Sequence, residues 1–136
     1  RCDKDGGNKR VQVIHTGDTR TSGKGVIIDN LPLADFEDEW IQVETEMHYT
    51  HHGTFRIKLT RISDGKVLAD QSFADVDLWR KGATSIRNKF GIYRSLGRKM
   101  QSASDRPDNG LKDESLQLAD FKVYEAHTNP NPQPHD

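Results

Sequence analysis

The sequence has little cysteine, few apolar residues and no long apolar run. Its one cysteine, Cys2, excludes an internal disulfide framework and a zinc site built on cysteines. Hydrophobic residues make up 32% of the chain, and no run of them approaches the roughly 20 residues that span a bilayer. We therefore expect neither a disulfide scaffold nor a membrane partner. Cys2 is expected either to pair with another chain or a precursor segment, or to be a free terminal thiol.

An excess of charge of one sign is also lacking. Charged residues make up 30% of the chain, but the net charge is -1 at pH 7, which gives no general attraction to nucleic acid. A site for an anion must then be a local cluster of basic residues. No metal or cofactor is expected either. His51 and His52 are adjacent in a predicted turn, where two rings do not readily reach one ion, and no third ligand is implied.

What the sequence does contain is alternation of apolar and polar residues, the period-two pattern of half-buried strands. About seven such segments, with almost no helical periodicity beyond one turn at 33–39, predict an all-β protein built as an antiparallel β-sandwich. The strands outside the central meander are expected at residues 11–15, 25–29, 86–94 and 116–125.

Two glycines predict how the strands of the central meander pair, beginning with residues 41–50 and 54–62. Gly53 and Gly65 each stand third in a three-residue loop, where the chain needs a left-handed residue. Apolar side chains then meet on one face, and an acid meets a base on the other. The expected pairs are Tyr49–Phe55, Met47–Ile57, Thr45–Leu59, Glu46–Lys58, Arg61–Val67, Leu59–Ala69 and Phe55–Phe73.

Residues 86–94 combine a mostly apolar face with a basic one. If the segment is a strand, Arg87, Lys89 and Tyr93 share the second face. A phenol near fixed cations has its ionised form stabilised and can carry a proton. The alternative is an ordinary half-buried strand whose basic face is solvated.

Several short motifs follow one another in order along the chain. They are Lys-Phe-Gly-Ile-Tyr-Arg at 89–94 together with residues 13–18, 33–36, Trp40, 64–68, 77–80 and 118–121. The set resembles the jelly-roll polysaccharide lyases of the heparin lyase I-like group, and the resemblance runs from about residue 11 to residue 126. It implies a concanavalin-like jelly-roll β-sandwich of antiparallel strands.

By that resemblance the protein cleaves a uronate-containing polysaccharide by β-elimination. This reaction needs a group that neutralises the C6 carboxylate, a base for the C5 proton and an acid for the leaving oxygen. Tyr93 is implied as base and acid, with Lys89 and His15 as further catalytic residues, although a lone histidine at a strand end is more often a surface residue. The acidic substrate is expected to be bound by Arg87, Arg94, Arg56 and Lys58. On a regular strand, Arg94 lies on the face opposite Tyr93 and reaches the site only at a strand end or bulge.

The same resemblance predicts the domain organisation. Residues 1–10 are expected to be a loop, residues 11–126 the C-terminal portion of a jelly-roll domain, and residues 127–136 a Pro-rich tail. Members of the group carry further strands before the point where this chain begins, so a missing N-terminal segment or a second chain is expected to complete the sandwich. Secretion is expected from the substrate class alone.

Two other functions remain open. One is a non-catalytic carbohydrate-binding sandwich that uses Trp40, Trp79 or Tyr49 as a stacking platform, although Trp79 also suits a core position. The other is a structural subunit in which a lyase fold has lost its activity. A flat row of exposed aromatic residues would favour binding, whereas a tyrosine among cations would favour catalysis.

Overall fold

The computed structural model describes residues 2–5, 8–16, 24–92 and 115–125. Over these residues the protein is all-β, with six strands in two antiparallel three-stranded sheets. The strands are β1 Cys2–Asp5, β2 Asn8–Thr16, β3 Lys24–Pro32, β4 Ile41–Met47, β5 Gly53–Arg61 and β6 Val67–Val76. The 3-10 helix Leu33–Asp35 links the two sheets, where a single helical turn was expected.

The first sheet has the order β1-β2-β3. The expected loop over residues 1–10 is wrong, because β1 pairs there with the start of β2, placing Cys2 opposite Val11. Pairing between β2 and β3 shifts register on both sides of Val13, which bends the sheet.

The second sheet has the order β4-β5-β6 and contains both predicted hairpins. In the first hairpin the expected faces are confirmed, but the register is shifted by two residues. Met47 lies opposite Phe55, and Val43 lies opposite Leu59. Because a shift of two keeps every side chain on its face, the apolar and charged faces survive the error.

Gly53 explains the shifted register. Its φ is not positive, so it does not supply the left-handed residue expected of it. A Cβ at Gly53 would lie 2.1 Å from the His48 carbonyl oxygen and 3.2 Å from Leu78 Cδ1. Glycine is therefore required by a close approach of backbone, and the turn spans the residues after Met47 rather than only the three before Thr54.

Gly65 behaves as predicted in the second hairpin. Its φ of 69° is left-handed, and its amide donates to the Arg61 carbonyl oxygen at 2.9 Å. The expected pairs Leu59–Ala69 and Phe55–Phe73 are confirmed. The pair Arg61–Val67 is wrong, because an irregularity between Leu59 and Thr60 leaves Val67 opposite Thr60.

One small core joins the two sheets. Its buried residues come from β3, β5 and β6, and half-buried residues such as Phe36 and Phe73 pack around it. No side chain of the described residues is less than 2% exposed, so the core is thin. The buried apolar residues are Ile28, Leu31, Ile57, Leu59 and Ala69.

The strands predicted at 86–94 and 116–125 are wrong over the parts described, since residues 86–92 and 115–125 form no strand. Alternation alone does not make a strand, because a strand also needs a partner for its backbone groups. The chain divides into two compact units, the second starting at Ser85. Within that second unit the rings of Phe90 and Phe121 pack with centroids 4.3 Å apart.

Candidate functional site

The predicted site residues that the structure describes belong to different elements of the two units. Arg56 and Lys58 lie on β5, and His15 lies on β2. Arg87 and Lys89 belong to the second unit, where both are exposed. Tyr93 and Arg94 lie outside the described residues, so the expected proton carrier and one expected anion-binding residue keep the status of predictions.

Arg56 and Lys58 stand on the outer face of the second sheet among carboxylates. The register places Glu46 opposite Arg56 on one side, and Asp70 opposite Lys58 on the other. Arg56 donates to both carboxylate oxygens of Asp70, from Nε and Nη2, at 3.2 Å each. This hydrogen bond and the charge of Asp70 raise the pKa of Arg56 above its ordinary value.

The outer face is therefore a poor receptor for an acidic glycan. Two cations share it with three carboxylates, those of Glu44, Glu46 and Asp70. A uronate approaching Arg56 would have to compete with Asp70, which already accepts hydrogen bonds from Nε and Nη2. A shallow depression of about 110 Å³ on this face is lined by Glu44, Glu46, Arg56 and Lys58.

A larger depression lies at the end of β5 and β6 nearest the first hairpin. Its volume is about 300 Å³. Phe55 and Phe73 form its apolar part, with ring centroids 6.2 Å apart and planes inclined by 19°. Around them stand polar groups that donate or accept hydrogen bonds. The remaining lining residues are Glu46, Thr54, Arg56, Ser72 and Ala74.

These features together have the composition of a small-ligand site. Such sites are concave and mostly apolar, with a few polar groups that orient the ligand. The nearly parallel pair of Phe rings offers an apolar surface, while Arg56 and Glu46 offer one group of each sign. Arg56 and Glu46 line the depression, and Asp70 also lies beside Arg56, so its polar part carries no excess of positive charge.

His15 is held by the segment that follows β6. Its Nε2 lies 2.6 Å from the Asp77 carbonyl oxygen. A carbonyl oxygen only accepts hydrogen bonds, so Nε2 is the donor in this contact. The half-buried imidazole thus ties the first sheet to the end of the second, as a structural residue does.

Two further histidines lie in a cluster that the sequence did not predict. His51 Nδ1 lies 3.0 Å from Asp77 Oδ1, and His52 Nδ1 lies 2.5 Å from Asp75 Oδ1. Both pairs join the first hairpin to residues more than twenty positions later. Asp75 has a φ of 57° and lies in the irregularity of β6 between the pairs Gly53–Val76 and Phe55–Phe73. We define the histidine clasp as His15, His51, His52, Asp75 and Asp77.

The histidine clasp contains imidazole and carboxylate groups, which can carry out acid-base chemistry, but part of it is exposed as a surface contact is. A carboxylate that accepts from Nδ1 leaves Nε2 of the same ring able to take a proton. The side chain of His52 is 85% exposed, so its contact with Asp75 is open to solvent. Among the residues that the structure describes, no group of three or more histidine, cysteine or acidic side chains is placed to hold a metal ion.

The aromatic residues expected as stacking platforms, Trp40, Trp79 and Tyr49, belong to three different connecting segments. Trp40 is half exposed and precedes β4, while Trp79 is half-buried and its amide donates to Asp77 Oδ1. Burial raises the pKa of Tyr49 above its ordinary value, which disfavours a role as a proton carrier. The pair that lines a depression, Phe55 and Phe73, was predicted only as an inner-face pair.

No family model, no curated protein and no solved structure matches the chain. Within the part of the chain that the structure describes, no helix has the length and apolar character needed to cross a membrane.

Proposed function

We propose that the protein is a carbohydrate-binding module of the β-sandwich class, and that a sugar binds in the depression beside Phe55 and Phe73. The observation that carries the proposal is this pair of nearly parallel rings, 6.2 Å apart, in a concave site with polar groups around it. The apolar C–H face of a sugar ring packs against an aromatic face, whose partial charge is negative. Its hydroxyls take hydrogen bonds from the polar rim.

The charges at the depression favour a neutral sugar. Arg56 is engaged by Asp70, and Glu46 lies beside it, so a ligand carboxylate would find no free cation there. Hydroxyl groups both donate and accept, and they suit a rim that contains an acid, a base and Ser72. The volume of about 300 Å³ is at the small end of the range for ligand clefts, which favours one or two sugar rings over a long bound chain.

The proposal includes a fold, the concanavalin-like jelly roll. A concanavalin-like jelly roll is supported by two antiparallel sheets that share one core. In each sheet of the described part, however, the strands follow chain order, whereas a jelly roll combines two Greek keys across its sheets. The proposal therefore requires further strands, from a missing segment or a second chain, to supply the crossing connections.

A second candidate is the polysaccharide lyase that the sequence resembles. Residues 85–94 contain three cations, Arg87, Lys89 and Arg94, and no acid. Arg87 and Lys89 are exposed, unlike the cations of the outer face, whose neighbours are carboxylates. An acidic polysaccharide bound here would lie next to Tyr93, the proposed base and acid for β-elimination, in a secreted enzyme.

Binding is tested by calorimetric titration of the protein with neutral and uronate oligosaccharides. The matched variants are Phe73→Leu, which removes a flat ring from the depression, and Phe36→Leu, which removes one elsewhere beside the core. We expect a neutral saccharide to bind. Phe73→Leu is expected to raise its dissociation constant by roughly three- to tenfold, while Phe36→Leu leaves the constant unchanged. Absence of binding by any saccharide in a folded sample would contradict the proposal.

The lyase candidate has its own readout, the ultraviolet absorbance of the unsaturated uronate formed by elimination. The wild-type protein and Tyr93→Phe are incubated with polyuronates and glycosaminoglycans. A rise that the variant abolishes would support the lyase, and a rise that persists would assign the chemistry to other residues. No rise with any polymer would remove the enzyme from consideration.

A further inference from the structure

Strand β4 forms an edge of the second sheet. Among the described residues it pairs with β5 alone. All of its residues except Ile41 are exposed, including Val43, which is 60% exposed although it lies on the apolar face. An edge of seven residues with free backbone groups is a template for another strand.

The side chains of β4 specify the kind of strand that fits. On one face it presents Ile41, Val43 and Met47, and on the other Glu44 and Glu46. A complementary strand must therefore alternate apolar residues with basic ones. This requirement excludes antiparallel pairing of β4 with its own copy about Glu44, because Glu44 would then lie opposite Glu44.

Residues 86–92 of this chain have the required alternation. Ile86, Phe90 and Ile92 stand at even positions, and Arg87 and Lys89 at odd ones. All seven residues are exposed, Phe90 by 61%, and they form no strand. The segment has the same length as β4, and it carries positive charges where β4 carries negative ones.

We propose that the β4 edge binds residues 86–92 of a second copy of the chain as an antiparallel strand. One register satisfies every position, and it places Glu44 opposite Lys89 and Glu46 opposite Arg87. The apolar faces then coincide as well. The full set of pairs is Ile41–Ile92, Gln42–Gly91, Val43–Phe90, Glu44–Lys89, Thr45–Asn88, Glu46–Arg87 and Met47–Ile86.

Reciprocal exchange of residues 86–92 between two chains accounts for the exposure of both the β4 edge and this segment. Each chain offers one β4 edge and one copy of residues 86–92, so two chains close a symmetric dimer in which neither of these two elements remains unpaired. The exchange buries Val43 and Phe90 against each other and provides the backbone of residues 86–92 with the partner that its alternation needs. It also supplies an added strand to the second sheet, a form of recognition known as β-augmentation.

Charge reversal tests the proposal in the full-length chain. Sedimentation equilibrium measures the dimer dissociation constant for the wild type, Glu44→Lys, Lys89→Glu and the double variant. Each single reversal is expected to weaken dimerisation by about tenfold, since two cross-strand pairs per dimer change from attraction to repulsion. The double variant is expected to restore it. The control Glu37→Lys makes the same charge change at an exposed site beyond the 3-10 helix and is expected to have no effect.

Disulfide trapping tests the register and the source of the strand. In a Cys2→Ser background, the single variants Val43→Cys and Phe90→Cys are mixed and oxidised, and we expect a disulfide-linked heterodimer. The off-register mixture of Val43→Cys with Ile86→Cys is expected to cross-link far less. A wild type that is monomeric at all concentrations, reversal variants that dimerise normally, or a Val43→Cys/Phe90→Cys chain that links only within itself would overturn the proposal.

Discussion

The Arg61 guanidinium lies 2.6 Å from a carboxylate oxygen of Asp64, three residues away across the β5–β6 turn. A second nitrogen, Nε, donates to the other oxygen at 3.0 Å, and the Lys66 amide donates to the same carboxylate. These hydrogen bonds and the positive charge of Arg61 lower the pKa of Asp64 to about 2. The pair holds together the turn that sets the register of β5 against β6.

This pair predicts a loss of stability in acid. A carboxyl whose pKa is lower in the folded state stabilises that state above its unfolded pKa, and the stabilisation is lost as the pH falls towards the folded value. For Asp64 the window runs from its ordinary value of 3.8 down to about 2. We expect the melting temperature of the wild type to fall more steeply across this window than that of Asp64→Asn. Equal slopes would show that the pair does not contribute.

Gly53 is expected to resist substitution, whereas Gly25 is not. An alanine Cβ at Gly53 would lie 2.1 Å from the His48 carbonyl oxygen, but at Gly25 the nearest atom would be 3.9 Å away. We expect Gly53→Ala to lower the free energy of unfolding by about 1–3 kcal/mol, as overpacking does, and Gly25→Ala to have little effect. Urea denaturation of both variants measures the difference. Equal losses would mean that the close approach at Gly53 is absent.

Two isoleucines test the position of the core. Ile57 is 6% exposed in the shared core, whereas Ile62, just beyond β5, is 60% exposed. We expect Ile57→Ala to cost about 2–5 kcal/mol of unfolding free energy and Ile62→Ala less than about 1 kcal/mol. Both changes remove the same atoms, so most of the difference reports burial of the side chain. Similar costs from urea denaturation would contradict the packing of the two sheets.

The histidine clasp makes an asymmetric prediction. Asp77 Oδ1 accepts from His51 and from the Trp79 amide. Within the clasp, Asp75 contacts only the exposed His52. We expect Asp77→Ala to lower the free energy of unfolding by about 1–2 kcal/mol, because it removes the carboxylate that accepts from both His51 and the Trp79 amide. For Asp75→Ala we expect less than about 1 kcal/mol, as for exposed ion pairs. The opposite order in thermal denaturation would show that the clasp does not hold the chain after β6.

Sequence patterns predict which face of a strand a side chain lies on better than they predict which residue it lies opposite. Alternation along β4, β5 and β6 placed Leu59 and Phe73 on the apolar side, where they lie. The register of the second hairpin followed from Gly65, whose left-handed φ is a local property of the turn. The predicted register of the first hairpin is wrong because Gly53 is needed for close contact with His48 and Leu78. A sequence shows which residues favour a turn, but it does not show such a contact.

The candidate site was less predictable for the same reason. The sequence predicts Arg56 and Lys58 as anion-binding residues, and it gives no sign of the carboxylates that the cross-strand register places beside them. The clasp joins His15 to Asp77 over 62 positions, a separation at which no local pattern gives a signal. Residues 86–92 alternate as a strand does, yet alternation does not specify which backbone will pair with them.

The measurement that tests the proposed function most directly is a chemical-shift map of the labelled protein, recorded by nuclear magnetic resonance during titration with a neutral oligosaccharide. The proposal predicts saturable shifts at Phe55, Phe73 and Ser72, the residues around the depression. Shifts confined to Arg87 and Lys89, and seen only with a polyuronate, would favour the lyase and contradict the binding site beside Phe55 and Phe73. No shifts with any saccharide would contradict carbohydrate binding itself.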